Sequence, residues 1–211
     1  MGIFAEDFLE IKKLRLYNSS IKSCAILGDC YFYDGLSKSD LKYEKVESFD
    51  ILGSPTHIVD LQKPIDKKFV NEYDVVIDSG TLFCVFDIVQ CLKNLIKMLK
   101  LNGLVFHQSN LVGHFGRGFY SLSPSFFNEF YSRNGFKILK LAYKIKNNKR
   151  VWSRIPPNSQ YLSSANTHEL VWSHEGTTTD LVPCDTSILC IAQKIKLQEH
   201  LILPFPEHYR S

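Results

Sequence analysis

Residues 73–107, YDVVIDSGTLFCVFDIVQCLKNLIKMLKLNGLVFH, constrain the fold more than any other stretch of the chain. Residues 73–77 are a short apolar run rich in β-branched side chains, the composition of a buried strand. Asp78-Ser79-Gly80 interrupts it. Asp87 stands where a helix N-cap accepts backbone amides. Behind it Ile88, Cys91, Leu92, Leu95 and Leu99 recur at helical spacing. Asn102-Gly103 has the chemistry of a helix end, because both residues tolerate the left-handed conformation. Residues 104–107 then read as a second buried strand. Strand, helix and strand in this order predict a right-handed crossover in a parallel sheet. Ligands of such sheets sit outside the carboxyl ends of the strands. Asp78, Ser79, Gly80 and residues 107–109 are therefore the first candidates for chemistry.

The flanking sequence extends the alternation. Residues 4–17 predict an amphipathic helix with Phe4, Phe8, Ile11 and Leu14 on one stripe. Residues 21–27, 45–49 and 56–59 predict three strands, ending at Gly28-Asp29, Asp50 and Asp60. Residues 66–71 predict a short helix or turn. Ser123-Pro124 opens a helix, with Ser as cap and Pro in the first turn, and Phe127, Phe130 and Tyr131 face inward. Residues 136–145 and 187–195 predict two last strands, and the basic cluster at 144–150 reads as a solvated turn. The pattern predicts an α/β fold: an open, mostly parallel twisted sheet with helices on both faces and an antiparallel last strand. One domain is expected over residues 1–211. The long polar stretch at about 146–187 is expected to be an insertion or lid.

Composition excludes several classes. Hydrophobic residues at 45% are enough for a sizeable core. The net charge of +3 is scattered among acids, which argues against nucleic acid as the main partner. No apolar run approaches the roughly 20 residues a membrane span requires, and the first residues lack a signal peptide, so a cytoplasmic location is expected. Six cysteines without a CxxC pair read as buried free thiols, and no metal site is expected. His168-Glu169 and His174-Glu175 lack the HExxH pattern of metalloproteases.

Acids at successive strand ends point to a nucleoside. An acid about 20 residues beyond the first glycine turn is where a ribose diol is gripped, and Asp50 has that relation to Gly28. The order of elements over roughly residues 21–145 resembles the class I S-adenosylmethionine-dependent methyltransferases. The segments THIVDLQKPI, YDVVIDSGTLFCVFDIVQCLKNLIKMLKLNGLVFHQS and GFYSLSPSFFNEFYSRNGFKI carry the resemblance. They are similar to the "DLNKP", "DVVIDxGTLEHVFD" and "GFYxFSPELF" segments of a bacterial branch of that superfamily. The resemblance implies a Rossmann-like methyltransferase fold and S-adenosylmethionine as cofactor. By position, Gly28 and Asp29 would stand at its methionine end and Asp50 would hold the ribose. Asp60 with Leu61 would flank the adenine, and Asp78, Ser79 and Gly80 would border the sulfonium. The implied activity is methyl transfer to a small polar acceptor, such as a sugar or sugar-linked group in surface-glycan biosynthesis.

Methyl transfer from a sulfonium needs an aligned acceptor and, for a hydroxyl, a base. His107 at the end of the fifth strand and His114 in the glycine loop after it would face the cofactor edge. Arg117 suits a phosphate or carboxylate on the acceptor, and Tyr120 could hydrogen-bond it. Two departures from the family stand out. The first loop, Gly28-Asp29-Cys30-Tyr31-Phe32-Tyr33, has one glycine where relatives have two or three. Phe83-Cys84 replaces their Glu-His pair. These departures keep open a second reading, a non-catalytic methyltransferase-like domain serving as a binding or partner subunit. The partner expected of the enzyme is a small-molecule acceptor, sugar or nucleotide-linked, with no nucleic acid and no membrane. A homo-oligomer is left open.

Overall fold

The computed structural model describes residues 2–111, 116–147, 149–154, 186–198 and 200–204. In chain order the strands are β1 (Gly2–Ile3), β2 (Ser23–Leu27), β3 (Tyr31–Phe32), β4 (Lys45–Asp50), β5 (His57–Ile58), β6 (Tyr73–Ser79), β7 (Leu99–Asn110), β8 (Phe136–Asn147), β9 (Lys149–Arg154) and β10 (Ser187–Lys194). Eight of them form one sheet in the order β5-β4-β2-β6-β7-β10-β8-β9. β5, β4, β2, β6 and β7 are parallel. β10 enters antiparallel between β7 and β8. The order reverses between β2 and β6, and the crevice beyond their carboxyl ends is where an open α/β sheet binds ligands.

Alternate residues of each strand serve opposite layers. Ala25, Leu27, Val76, Val105 and Cys190 pack on α3 (Ile88–Met98) and α4 (Pro124–Arg133). Cys24, Ile26, Ile77, Phe106 and Ile191 pack on α1 (Ala5–Lys12) and α2 (Leu14–Tyr17). Both sheet faces are covered, so every residue of β2 is buried. The caps act locally: the Asp87 carboxylate accepts from the Gln90 amide at 2.9 Å, and Ser123 Oγ accepts from the Phe126 amide at 3.2 Å.

The structure corrects four expectations. The N-terminal helix breaks at Lys13 into α1 and α2, and Phe4 stands outside its buried stripe. α3 ends at Met98, ahead of Asn102-Gly103. Buried Lys194 donates to the Ile96 and Leu99 carbonyls at 2.8 and 2.7 Å, filling acceptors that the helix end leaves open. Asn102, at φ +64°, instead kinks the start of β7. The cluster expected as a solvated turn continues β8 and returns as β9, which covers the first part of the expected insertion. Residues 155–185 of that insertion lie outside the described residues.

Lys144 within that cluster is buried and meets fully buried Asp7 at 2.6 Å. One turn along, Glu10 meets Lys140 at 2.5 Å and Lys13 at 2.7 Å. α1 is thus fastened to β8 by two ion pairs. Burial alone would raise the Glu10 carboxyl, but the hydrogen bonds from Lys13 and Lys140 outweigh it and hold the group below its usual 4.5. Asp7→Asn removes the carboxylate 2.6 Å from the buried Lys144 ammonium, a loss of about 3–5 kcal/mol. Urea denaturation should show it, and adding Lys144→Met should recover most of it. Glu10 binds fewer protons folded than unfolded, so its contribution is complete above pH 4.5 and is lost as pH falls through the depressed folded value. Glu10→Gln should therefore lower the melting temperature at pH 6 and make little difference at pH 2.5.

Candidate active site

The carboxyl end of β6 is organised by Asp78, which is fully buried. Its Oδ1 accepts from the amides of Thr81 and Leu82 at 2.7 and 3.0 Å. Its Oδ2 lies 2.7 Å from Nδ1 of His107, the residue beside it on β7. His107 Nε2 lies 2.5 Å from the Tyr131 hydroxyl on α4. Burial pushes the Tyr131 phenol well above its usual value, so it stays a protonated donor. With the Asp78 carboxylate as acceptor at Nδ1, the tautomer assigned to His107 donates there and accepts from the Tyr131 hydroxyl at Nε2. Thr81 Oγ1 donates to the Leu27 carbonyl at 2.6 Å, tying the same turn to the end of β2. Gly80, at φ +95°, lets the chain turn between these anchors.

The neighbouring strand ends carry the other acids. Gly28 closes β2 at φ +86°, and its amide donates to the Phe49 carbonyl at 2.7 Å. The Asp29 amide donates to Asp50 Oδ2 at 2.7 Å. Asp50 Oδ1 accepts from the Ile51 and Leu52 amides at 2.7 and 3.3 Å. Ile51 and Leu52 are 57% and 74% exposed beside it. Asp29 accepts from the Ser54 amide and lies 3.7 Å from Lys38. Asp60 caps its own turn, accepting from the Gln62 amide at 3.0 Å. Leu61 is buried beneath α3. Buried Asn94 of α3 donates to the carbonyls of Leu61 and Lys63, and so secures the DLQKP segment.

A cavity of about 450 Å³ opens beyond β6, β7 and β10. Ser79, Gly80, Gln108, Ser109, Asn110 and Ser187 line its floor, and Gly2, Phe4, Tyr33, Phe83, Cys84 and Arg117 its walls. The Phe4 and Tyr33 rings stack 4.3 Å apart and 5° from parallel. Ser79 Oγ lies 2.8 Å from Gln108 Oε1 and 3.0 Å from the Gly2 carbonyl, joining the floor to the N-terminal strand. Arg117 is placed by its backbone: its carbonyl accepts from the Cys84 thiol at 3.1 Å. Gly118 beside it abuts Phe83 so closely that a Cβ would lie 2.3 Å from the ring. Tyr33 is a wall of this cavity and Tyr31 is exposed to solvent.

Of the residues expected at the site, Ser79, Gly80 and Arg117 meet at this cavity. Gly28, Asp29, Asp50 and Asp60 stand along the strand ends outside its lining, and the Asp78 and Leu61 side chains turn into the core. His107 does not face the cofactor edge as expected, because it is fully buried with both ring nitrogens engaged. The Tyr120 hydroxyl is taken by the Phe86 carbonyl at 2.7 Å and is not presented to an acceptor. His114 lies outside the described residues. Phe4 and Gly2 were missed because β1 pairs with β3 across a distance in sequence that no local pattern marks. Ser109 and Gln108 lie in the strand-end stretch that the crossover pattern singled out, whereas Asn110 and Ser187 had no such signal. Four of the thiols, Cys24, Cys30, Cys91 and Cys190, are buried, and burial pushes Cys30 up to about 12. Among the described residues no cluster of ligating side chains could hold a metal, and no helix is long and apolar enough to cross a membrane.

The strand order, with its reversed β10, is a fold shared with solved structures of methyltransferases. The N-methyltransferase NodS from Bradyrhizobium japonicum, solved with S-adenosyl-L-homocysteine, matches 90% of this chain and 87% of its own at a TM-score of 0.55 and 9% identity. A candidate methyltransferase from Bacillus halodurans matches over 91% and 100%, at a TM-score of 0.55 and 10% identity. The branched-chain polyamine synthase from Thermus thermophilus, solved with N4-aminopropylspermidine and 5'-methylthioadenosine, matches over 94% and 59% at a TM-score of 0.51 and 13% identity. No family model matches the chain, and no curated protein matches it in sequence.

The buried chain from Asp78 to Tyr131 has a measurable consequence. Tyr131→Phe removes the one donor to His107 Nε2 and leaves that atom buried and unpaired. Unfolding in urea should show a loss of about 1–3 kcal/mol, while His107→Ala, which also empties ring volume, should cost more.

Proposed function

We propose that the chain is an S-adenosylmethionine-dependent methyltransferase acting on a small polar acceptor. The observation that carries this reading is the cavity bordered by Ser79 and Gly80 at the carboxyl end of β6, next to the crevice between β2 and β6 where the strand order of a methyltransferase-fold sheet reverses. The chain's residues fit the chemistry of the cofactor. Ile51 and Leu52 offer apolar surface to a purine beside the Asp50 carboxylate, whose remaining lone pairs suit ribose hydroxyls. Gly80 puts no side chain against the place for the sulfonium. The cofactor supplies an activated methyl group bonded to a positively charged sulfur.

The protein's part is alignment and dehydration. The Asp78–His107–Tyr131 chain holds the Ser79–Gly80 turn at a fixed height above the sheet. Phe4, Tyr33 and Phe83 exclude water on one side. Gln108, Ser109 and Asn110 present polar groups on the other, where the acceptor lies. A sugar or sugar-linked acceptor, as in surface-glycan synthesis, suits stacked rings opposite amides and hydroxyls. A second reading, a binding or partner subunit without catalysis, is favoured by Asp29 and Asp50, whose carboxylates already accept several backbone amides.

Calorimetric titration with S-adenosyl-L-homocysteine separates the two. Micromolar binding is expected, and Asp50→Ala should weaken it by about 1–3 kcal/mol, the range for a hydrogen bond to a charged group. No heat at millimolar ligand overturns the enzyme reading in favour of the partner subunit.

A further inference from the structure

We infer that the acceptor carries an oxyanion, a carboxylate or a phosphate, and that Arg117 with Ser109 reads it. The inference rests on the methyltransferase reading and narrows its substrate class. Two independent observations meet in the lining of the cavity beside Gly80. The first is Ser109 on β7. It is 2% exposed, its Oγ has no hydrogen-bond partner, and it lines the cavity. Buried hydroxyls are nearly always paired, so this one is in place for a group that arrives with the ligand. The second is Arg117. It is the one charged side chain among the described residues that line the cavity, and among those residues its guanidinium has no ion-pair partner.

The backbone around Arg117 is built to hold it there. The Cys84 thiol donates to its carbonyl. The next residue, Gly118, fits only because it lacks a Cβ. The Phe119 amide donates to the Phe83 carbonyl at 2.8 Å. The loop's packing on residues 83–84 fixes its backbone, so the cost of ordering the main chain at Arg117 is already met. A hydroxyl donor and a forked guanidinium in the lining of one cavity match the chemistry of an oxyanion. A protonated amine would meet Arg117 as a like charge.

A sugar series matched in ring and varied in charge tests the inference on the protein saturated with S-adenosyl-L-homocysteine: glucose, glucosamine, glucuronate and glucose 6-phosphate, measured by calorimetry. Glucuronate or glucose 6-phosphate should bind at least tenfold more tightly than glucose or glucosamine, and whichever leads identifies the anion. Arg117→Gln should abolish the difference, Arg117→Lys should keep part of it, and Ser109→Ala should reduce it three- to tenfold. None of the three should change the affinity for S-adenosyl-L-homocysteine by more than about twofold. Equal or tighter binding of glucosamine, no binding of either anion, or selectivity that survives Arg117→Gln overturns the inference and leaves the cofactor reading standing. Failure to bind S-adenosyl-L-homocysteine overturns the reading on which it rests.

Discussion

A carboxylate buried without exposure is tolerable only if donors surround it, and the architecture around Asp78 follows from that requirement. Two donors are the Thr81 and Leu82 amides, so the chain after β6 must curl back over its own strand end. The third is His107, so β6 and β7 must pair in the register that sets the two side by side. His107 then needs a donor of its own, and Tyr131 supplies it from α4. One buried charge thus joins two strands, a turn and a helix. The turn it shapes is the one that presents Ser79 and Gly80 to the cavity.

The same logic recurs wherever the two layers meet the sheet. Apolar alternation brings α1 and α3 to their faces, but burial of apolar area is indifferent to small slides along the sheet. Polar contacts remove that freedom. Asp7 and Glu10 reach Lys144 and Lys140 on β8 and set α1 in register. Lys194 of β10 ends α3 by filling its last carbonyls. Asn94 of α3 holds the segment between β5 and β6 by three hydrogen bonds. Each polar group is expensive to bury alone and tolerable when paired, so these contacts specify position more than they add stability.

The elements with a strong local signature were legible. The β6–α3–β7 crossover showed in its β-branched runs and helical spacing, and α4 in its Ser-Pro start. The acids at strand ends were legible as acids, but their roles were not. Asp78 and Asp50 occupy similar positions in the sequence pattern, yet one faces a histidine in the core and the other caps a turn beside exposed apolar residues. The side-chain period of a strand places every second residue on one face. It does not say which partner waits there. His107 was read as a base because it ends a strand; the tyrosine that engages its second nitrogen lies on a helix far along the chain.

What the sequence determined by itself is the alternating α/β order, the caps, the turns that demand glycine and the class of fold these imply, because each rests on residues within a turn or two of one another. The tertiary structure decided the rest. It seated β10 between β7 and β8 and laid the N-terminal strand against β3 so that Phe4 and Tyr33 wall the cavity. It withdrew His107 from the site and left Ser109 and Arg117 facing it. Those outcomes depend on which distant groups could satisfy a buried charge or a buried hydroxyl, and that is settled only when strands and helices from all parts of the chain are packed together.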